Sequence, residues 1–209
     1  MEAHNLKQHW DTVYQKEDEH LGWFEPNPEQ TLALIAETNL SKDATILNVG
    51  AGTTTLIEAL LDKGFTNIIA NDLSNFALRK LKDRVQKSHH YHLKGLVDDL
   101  TNPKKLNKLL PIDLWIDRAV LHFFLKEEEQ KAYFNLVKKI VSKKGFVIIA
   151  VFSLDGAEKC SGLPLQRYNP EMLQNKLGLD FKLIKTFNFT FINPFGGERP
   201  YVYTLFQRQ

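Results

Sequence analysis

Read for the spacing of its apolar positions, the chain alternates between two rhythms. Short β-branched or apolar runs fall at Thr45–Val49, Asn67–Asn71, Tyr91–Leu96, Ile112–Ile116 and Phe146–Phe152. Several of them show little polar alternation inside, as strands do when helices cover both faces of a parallel sheet. Helix-length segments lie between them: Thr54–Lys63 closed by Gly64, Ser74–Lys87 opened by a serine cap, and Glu127–Ser142, where Phe134, Val137 and Val141 share a face. Strand and helix in repeated alternation predict an α/β, Rossmann-like doubly wound sheet. The tail differs, because Phe181–Phe189 and Pro200–Gln207 are strand-like runs joined by the turn-rich N-P-F-G-G-E-R. That pattern predicts a hairpin added at a sheet edge.

Composition narrows the class. Hydrophobic residues at 43% and charged residues at 25% are ordinary globular usage, and no linker or repeat divides the 209 residues. The expectation is one domain over residues 1–209, with residues 1–40 as an N-terminal helical cap. Lysine and arginine exceed aspartate and glutamate by only two and are scattered, so no nucleic-acid partner is expected. The longest apolar run, Phe146–Phe152, is far short of the ~20 residues of a membrane-spanning helix. One cysteine and no basic, apolar leader lead to an expected cytoplasmic location. Oligomeric state leaves no mark in the sequence.

The first chemistry lies in I-L-N-V-G-A-G-T-T-T, where an apolar strand runs straight into a helix. Gly50 and Gly52 then sit where a ligand approaches the backbone, with the helix N-terminus favouring a polar or anionic group. Asp72 ends the next strand at the distance that suits a carboxylate accepting from ribose hydroxyls. A tight turn explains the glycines equally well, and Asp72 tips the balance to a nucleoside. Thr55 occupies the place of a third glycine, which disfavours a dinucleotide and an NAD-dependent oxidoreductase.

Further blocks accompany this loop: H-W-D-T-V-Y at His9–Tyr14, G-W-F-E at Gly22–Glu25, V-D-D-L at Val97–Leu100, D-L-W-I-D-R-A-V-L-H-F at Asp113–Phe123 and C-S-G-L-P-L-Q-R-Y at Cys160–Tyr168. In this order they resemble the class I S-adenosylmethionine-dependent methyltransferases, over nearly the whole chain, including a branch of methyltransferase-like protein-lysine enzymes. The resemblance implies seven strands in the order 3-2-1-4-5-7-6 with strand seven antiparallel, and S-adenosylmethionine as cofactor with S-adenosylhomocysteine as product. It implies that Gly50, Ala51 and Gly52 pack under the cofactor's amino-acid end and that Asp72 with Leu73 holds the ribose. Asp98, Asp99 and Leu100 would meet the adenine, and Asp117 would lie beside the methionine portion. Asn48 departs from the acidic residue usual at the head of the glycine motif. D-R-A at Asp117–Ala119 departs from the D-K-G of eukaryotic lysine methyltransferases, which favours a small-molecule acceptor over a protein lysine.

Displacement at a sulfonium methyl asks mainly for alignment and exclusion of water, so little catalytic machinery need show. A protonated acceptor needs a base, for which Asp117 and His122 are the candidates. His122 lies among Val120, Leu121, Phe123 and Phe124, company in which a histidine is more often a packed structural residue than a base. Arg118 suits an anionic acceptor, the cofactor carboxylate or a structural ion pair. Trp10, Tyr14 and Trp23 either fold over the site, with Trp10 and Tyr14 on the cofactor and Trp23 on the substrate, or pack an amphipathic helix on the sheet. Arg167 and Tyr168, in the loop after the fifth strand, are candidates for reading the acceptor. His89, His90 and His92 point apart, so no metal site is expected. A cofactor-binding module that has lost catalysis remains the rival from another class, and Asn48 is the feature that points to it.

Overall fold

The structure is a computed structural model that describes residues 3–109 and 111–209. Its order is α1 (Ala3–Val13), α2 (Glu29–Glu37), β1 (Thr45–Val49), α3 (Leu56–Asp62), β2 (Asn67–Asp72), α4 (Asn75–His89), β3 (Lys94–Val97) and β4 (Ile112–Arg118). There follow α5 (Glu127–Ile140), β5 (Val141–Phe152), the short pair β6 (Lys159–Cys160) and β7 (Leu163–Pro164), α6 (Pro170–Leu177), β8 (Phe181–Ile192) and β9 (Glu198–Arg208). Seven strands form one sheet in the order β3-β2-β1-β4-β5-β9-β8, in which β9 runs antiparallel to β5 and to β8. This is the topology expected from the sequence.

Alternation along the central strands divides the core. Ile46 and Ile116 face one side with Leu34, Leu56, Leu60 and Leu81 of the helices, whereas Leu47, Val49 and Trp115 face the other with Phe134, Val137 and Leu173. Neither face meets water, which is why the central runs lack polar alternation. The ends of β1, β2, β3, β4 and β5 therefore meet at one edge of a sheet buried on both faces, where an open α/β fold places its crevice.

The boundaries moved for local reasons. Ser74 accepts from the Ala77 amide at 3.1 Å, so the expected cap opens α4. The third strand starts at Lys94 rather than Tyr91, because the Tyr91 hydroxyl pins the preceding turn by donating to Thr66 O at 2.8 Å. The fifth helix stops at Ile140, since Val141 already pairs with Ile112 of β4. Helix α6 was not anticipated, although Asn169 accepting from the Met172 amide at 2.8 Å and Pro170 in the first turn are ordinary helix openers. The first two residues of the expected N-terminal cap lie outside the described residues.

The turn after β1 is where the backbone is least tolerant. Gly50 has φ +53°, and a Cβ there would stand 2.0 Å from Cγ2 of Val120; Gly52 has φ +52°, and its Cβ would stand 2.2 Å from the Tyr14 hydroxyl. Left-handed backbone alone costs a non-glycine residue about 1 kcal/mol, and displacing Val120 adds to that. Gly50→Ala is expected to lower unfolding free energy by roughly 2–4 kcal/mol in denaturant titration; a loss below about 0.5 kcal/mol would show that the turn is not under this constraint.

Candidate active site

Beneath the glycine turn lies Asp72, at the end of β2 and 5% exposed. One of its oxygens accepts from the Gly52 amide at 2.7 Å and the other from the Ser74 amide at 2.8 Å. It thus fastens the turn to the start of α4 while keeping spare lone pairs, because each carboxylate oxygen accepts more than one hydrogen bond. Burial raises its pKa from 3.8 to about 6, against the lowering effect of those amides. Arg84 of α4 braces the next stretch, donating to Thr53 O at 3.0 Å and pairing with Glu58 at 2.6 Å and Asp18 at 2.9 Å.

A cleft with about 1060 Å³ of empty space opens over these strand ends. Gly50, Asp72, Leu73, Asp98, Asp99 and Leu100 line one part of it, as expected from the sequence. The two neighbouring aspartates have separate duties. Asp98 accepts from the amides of Lys104, Lys105 and Leu106 at 2.8–3.1 Å and so caps the turn that follows β3. Asp99 accepts from the Thr101 amide and hydroxyl through Oδ1 alone, at 2.8 and 2.7 Å, which leaves its second oxygen available on the cleft wall.

The other part of the cleft is aromatic. Trp10 of α1 and Tyr14 just after it form it with Trp23 and Phe123, Trp10 meeting Trp23 at 5.7 Å and Phe123 at 5.2 Å between ring centroids. Helix α1 is held there by Asp11, which accepts from the Ser74 hydroxyl at 2.6 Å and the Phe76 amide at 3.3 Å. The aromatic N-terminus therefore does both things that the sequence left open, packing as a helix and walling the cleft.

Gly50, Trp23 and Arg118 also border a smaller chamber of about 570 Å³, which Ala51 lines as well. Arg118 is held by Glu25 at 3.2 Å, by Trp23 O at 3.0 Å and by the faces of Phe191 and Tyr201 at 5.0 and 5.3 Å. Burial raises the Glu25 carboxyl although Arg118 draws it down. Three buried polar atoms of this chamber have no partner among the described residues: Arg118 Nη2, Asn48 Oδ1 and Thr31 Oγ1. Buried polar groups are nearly always paired, and leaving each one unpaired costs ~1–3 kcal/mol. A donor cation beside an amide oxygen and a hydroxyl matches the carboxylate and ammonium of an amino-acid group, so these residues fit the amino-acid end of an adenosyl cofactor. Glu25 and Thr31 were not singled out from the sequence. The W-F-E block and the apolar-spaced helix gave no sign that they would face Asn48.

Four positions expected in the site lie elsewhere or act differently. Asp117 is fully buried, accepts from Val120 and Leu121 amides at 3.0 and 3.1 Å and from the Tyr133 hydroxyl at 2.7 Å, and lines neither cavity. It shapes the turn after β4, where Ala119 has φ +70°, and neither a base nor a cofactor contact is open to it. Tyr168 is 1% exposed in the core beside β5, and Arg167 turns outward to Gly156 O and Glu158; neither lines a cavity. The reason is that Cys160–Tyr168 folds back as the β6–β7 hairpin, which brings Cys160 instead to the cleft. Gly52 faces the Tyr14 hydroxyl rather than open space. His122 does line the cleft, together with the unanticipated Phe124 and Glu129.

Residues 47–149 match the family described as methyltransferase domain. Fold, cleft and this match together mark the chain as a methyltransferase. Among proteins of known role, the chain is similar to the mouse (Mus musculus) EEF1A lysine methyltransferase 2, 24% identical over 170 residues that cover 75% of this chain and 69% of that one. In fold it is similar to a SAM-dependent methyltransferase from Anabaena variabilis, with a TM-score of 0.77, 12% identity and coverage of 99% and 95%. It is also similar in fold to the 1,6-didemethyltoxoflavin-N1-methyltransferase of Burkholderia thailandensis, solved with its didemethyltoxoflavin and S-adenosylhomocysteine, with a TM-score of 0.74, 16% identity and coverage of 99% and 89%. Among the described residues no helix is long and apolar enough to cross a membrane, and no group of three His, Cys, Asp or Glu side chains is arranged to hold a metal.

Two titrations check this geometry. Burial raises Asp117 from 3.8 to about 6, so the stability it contributes is complete below about pH 4 and is lost as pH rises through about 6. Asp117→Asn, neutral throughout, should therefore gain on the wild type by up to about 3 kcal/mol between pH 4 and pH 7 in paired unfolding curves; parallel curves would contradict the burial. The ribose role expected of Asp72 needs its ionised form as acceptor, and its pKa is pushed up to about 6. Calorimetry should show S-adenosylhomocysteine affinity falling as pH drops below about 6, and Asp72→Asn losing roughly 10-fold at pH 7.5, with no NAD binding in either protein.

Proposed function

We propose that this chain transfers the methyl group of S-adenosylmethionine to an amine presented by a protein, of the lysine type. The observation that carries the methyl-transfer part is the continuity of one cleft. Its nucleoside side, at Asp72 and Asp99, runs on through Gly50 to an aromatic compartment at Trp10, Trp23 and Phe123. A sulfonium lying across Gly50 directs its methyl into that compartment, and aromatic faces stabilise the cation. The lysine-type acceptor is supported by the named activity of the curated relatives and by apolar side chains on the loops around the strand ends. Leu125 and Leu154 follow β4 and β5 and are 46% and 48% exposed, while Phe195, at 67%, lies in the β8–β9 turn at the same end of the sheet.

Residues 3–25 and the strand ends align the donor, and the packed aromatic walls keep water from it. The cofactor supplies the activated methyl, and the protein's share is Asp72 and Asp99 fixing the nucleoside, Arg118 and Asn48 the amino-acid end, and the aromatic wall the acceptor. A small-molecule acceptor is the second reading. It is favoured by the D-R-A departure and by the N-terminal segment, whose Leu6, Trp10 and Tyr14 wall the cleft.

Incubating the protein with methyl-labelled S-adenosylmethionine and an extract fractionated by size tests both readings. Label in a protein band that is removed by Trp23→Ala supports the proposal. Label only in the small-molecule fraction supports the second reading, and no label despite cofactor binding identifies a silent binding module.

A further inference from the structure

His122 is a buried polar residue on the cleft wall that the cofactor leaves unexplained. Its side chain is fully buried, lies parallel to Phe152 with centroids 5.0 Å apart and planes at 7°, and meets the edge of Phe123 at 4.5 Å. Neither ring nitrogen has a hydrogen-bond partner, although the residue lines the cleft. A neutral imidazole carries one donor and one acceptor, so both are wasted unless something in the cleft meets them. The site is built to keep the ring still. Phe152 fixes its plane, and the His122 carbonyl accepts from the Gln166 amide at 2.7 Å, which ties it to the segment after β7. A histidine that served only as packing would be replaceable by an aromatic residue, without leaving two polar atoms unpaired at a cavity wall.

The charged neighbours decide what kind of group can meet it. Arg118 is the cation nearest in influence, and with burial it pushes the imidazole pKa down to about 3. His122 is therefore uncharged at any working pH, and it is too weak a base to take a proton from an acceptor. Asp117 is withdrawn beneath the turn, its oxygens occupied. Cys160, which shares the cleft, is held as a thiol, burial raising its pKa. An aliphatic hydroxyl, which needs a base to become nucleophilic, does not suit this place. A nitrogen that already carries a free lone pair does.

We propose that His122 is the hydrogen-bond anchor of the methyl acceptor, and that the acceptor binds it through an uncharged nitrogen bearing at least one N–H. This rests on the methyl-transfer part of the reading above and adds the protonation state of the acceptor to it: a lysine-type amine, a cation at pH 7, would have to lose its proton before it binds. The acceptor N–H donates to the unprotonated ring nitrogen of His122, which leaves the nitrogen lone pair free to turn toward the sulfonium methyl. In the transfer that lone pair forms the new N–C bond as the C–S bond breaks, and its electron pair stays on sulfur as the neutral thioether of S-adenosylhomocysteine. The product nitrogen, now carrying the positive charge, releases its proton to water after it leaves. His122 acts as a positioning and specificity residue and stays neutral throughout.

Aniline, toluene and benzylamine, added at pH 7 to the protein saturated with S-adenosylhomocysteine, test this directly. Aniline is an uncharged amine there, toluene lacks the N–H, and benzylamine is a cation. Aniline is expected to bind about fivefold or more tighter than toluene, the size of one neutral hydrogen bond, with benzylamine weaker than aniline. In His122→Phe, which keeps a flat ring on Phe152, the aniline advantage should vanish while toluene binding and S-adenosylhomocysteine binding persist; His122→Gln should restore part of it. In the wild type, aniline should also move the His122 ring 15N resonances without protonating the ring, which gives an answer even where a variant fails to fold. The anchor is overturned if toluene matches aniline, if benzylamine is preferred, if none of the three binds, or if the 15N signals stay fixed. Failure of the wild type to bind S-adenosylhomocysteine would instead overturn the methyltransferase reading itself.

Discussion

Everything at the strand ends depends on one buried carboxylate placed between two backbone amides. Asp72 holds Gly52 on one side and Ser74 on the other, and Ser74 in turn donates to Asp11 of α1. Three elements distant in sequence, the glycine turn, the start of α4 and the N-terminal helix, are thus fixed through a chain of hydrogen bonds. Burying that charge is costly, as its raised pKa records, and the amides that offset the cost are those that shape the cofactor floor. Under the proposed function, structural and binding duties fall on the same oxygens, which would leave the floor little freedom to change without losing its ligand.

The same economy holds at Arg118. Its charge is shared with Glu25 and with aromatic faces, which lets a guanidinium lie at 14% side-chain exposure between two cavities, yet one of its nitrogens stays unpaired. Asn48 makes this arrangement possible. An acid there would neutralise Arg118 a second time, whereas the amide leaves both an uncommitted donor and an uncommitted oxygen facing the chamber. The departure at position 48 thus puts an amide oxygen, rather than a second carboxylate, on the wall of the chamber that Arg118 also lines.

The fold was legible because its central strands are buried on both faces and its helices carry clear caps; Thr45–Val49 and Ser74 stand where the pattern put them. The gathering of Gly50, Asp72 and Asp99 along one cleft was legible for a related reason, since their places at strand ends fix them. The acceptor half was not. Asp117 reads as a strand-end acid like Asp72, but the turn after β4 curls over it and consumes its oxygens. Arg167 and Tyr168 follow β5 in sequence, yet the β6–β7 hairpin turns them away and delivers Cys160. Pairings such as Glu25 with Arg118 or Asp11 with Ser74 join residues 93 and 63 positions apart, which no local pattern reports.

The central claim is that this cleft cradles an adenosyl cofactor in one orientation. A crystal structure of the chain with S-adenosylhomocysteine tests it most directly. The account requires the ribose hydroxyls at hydrogen-bond distance, about 3 Å, from Asp72, the adenine amino group at Asp99 and the amino-acid end at Arg118 and Asn48. Ligand density outside the cleft, or a nucleoside reversed so that its carboxylate lies at Asp99, would contradict it.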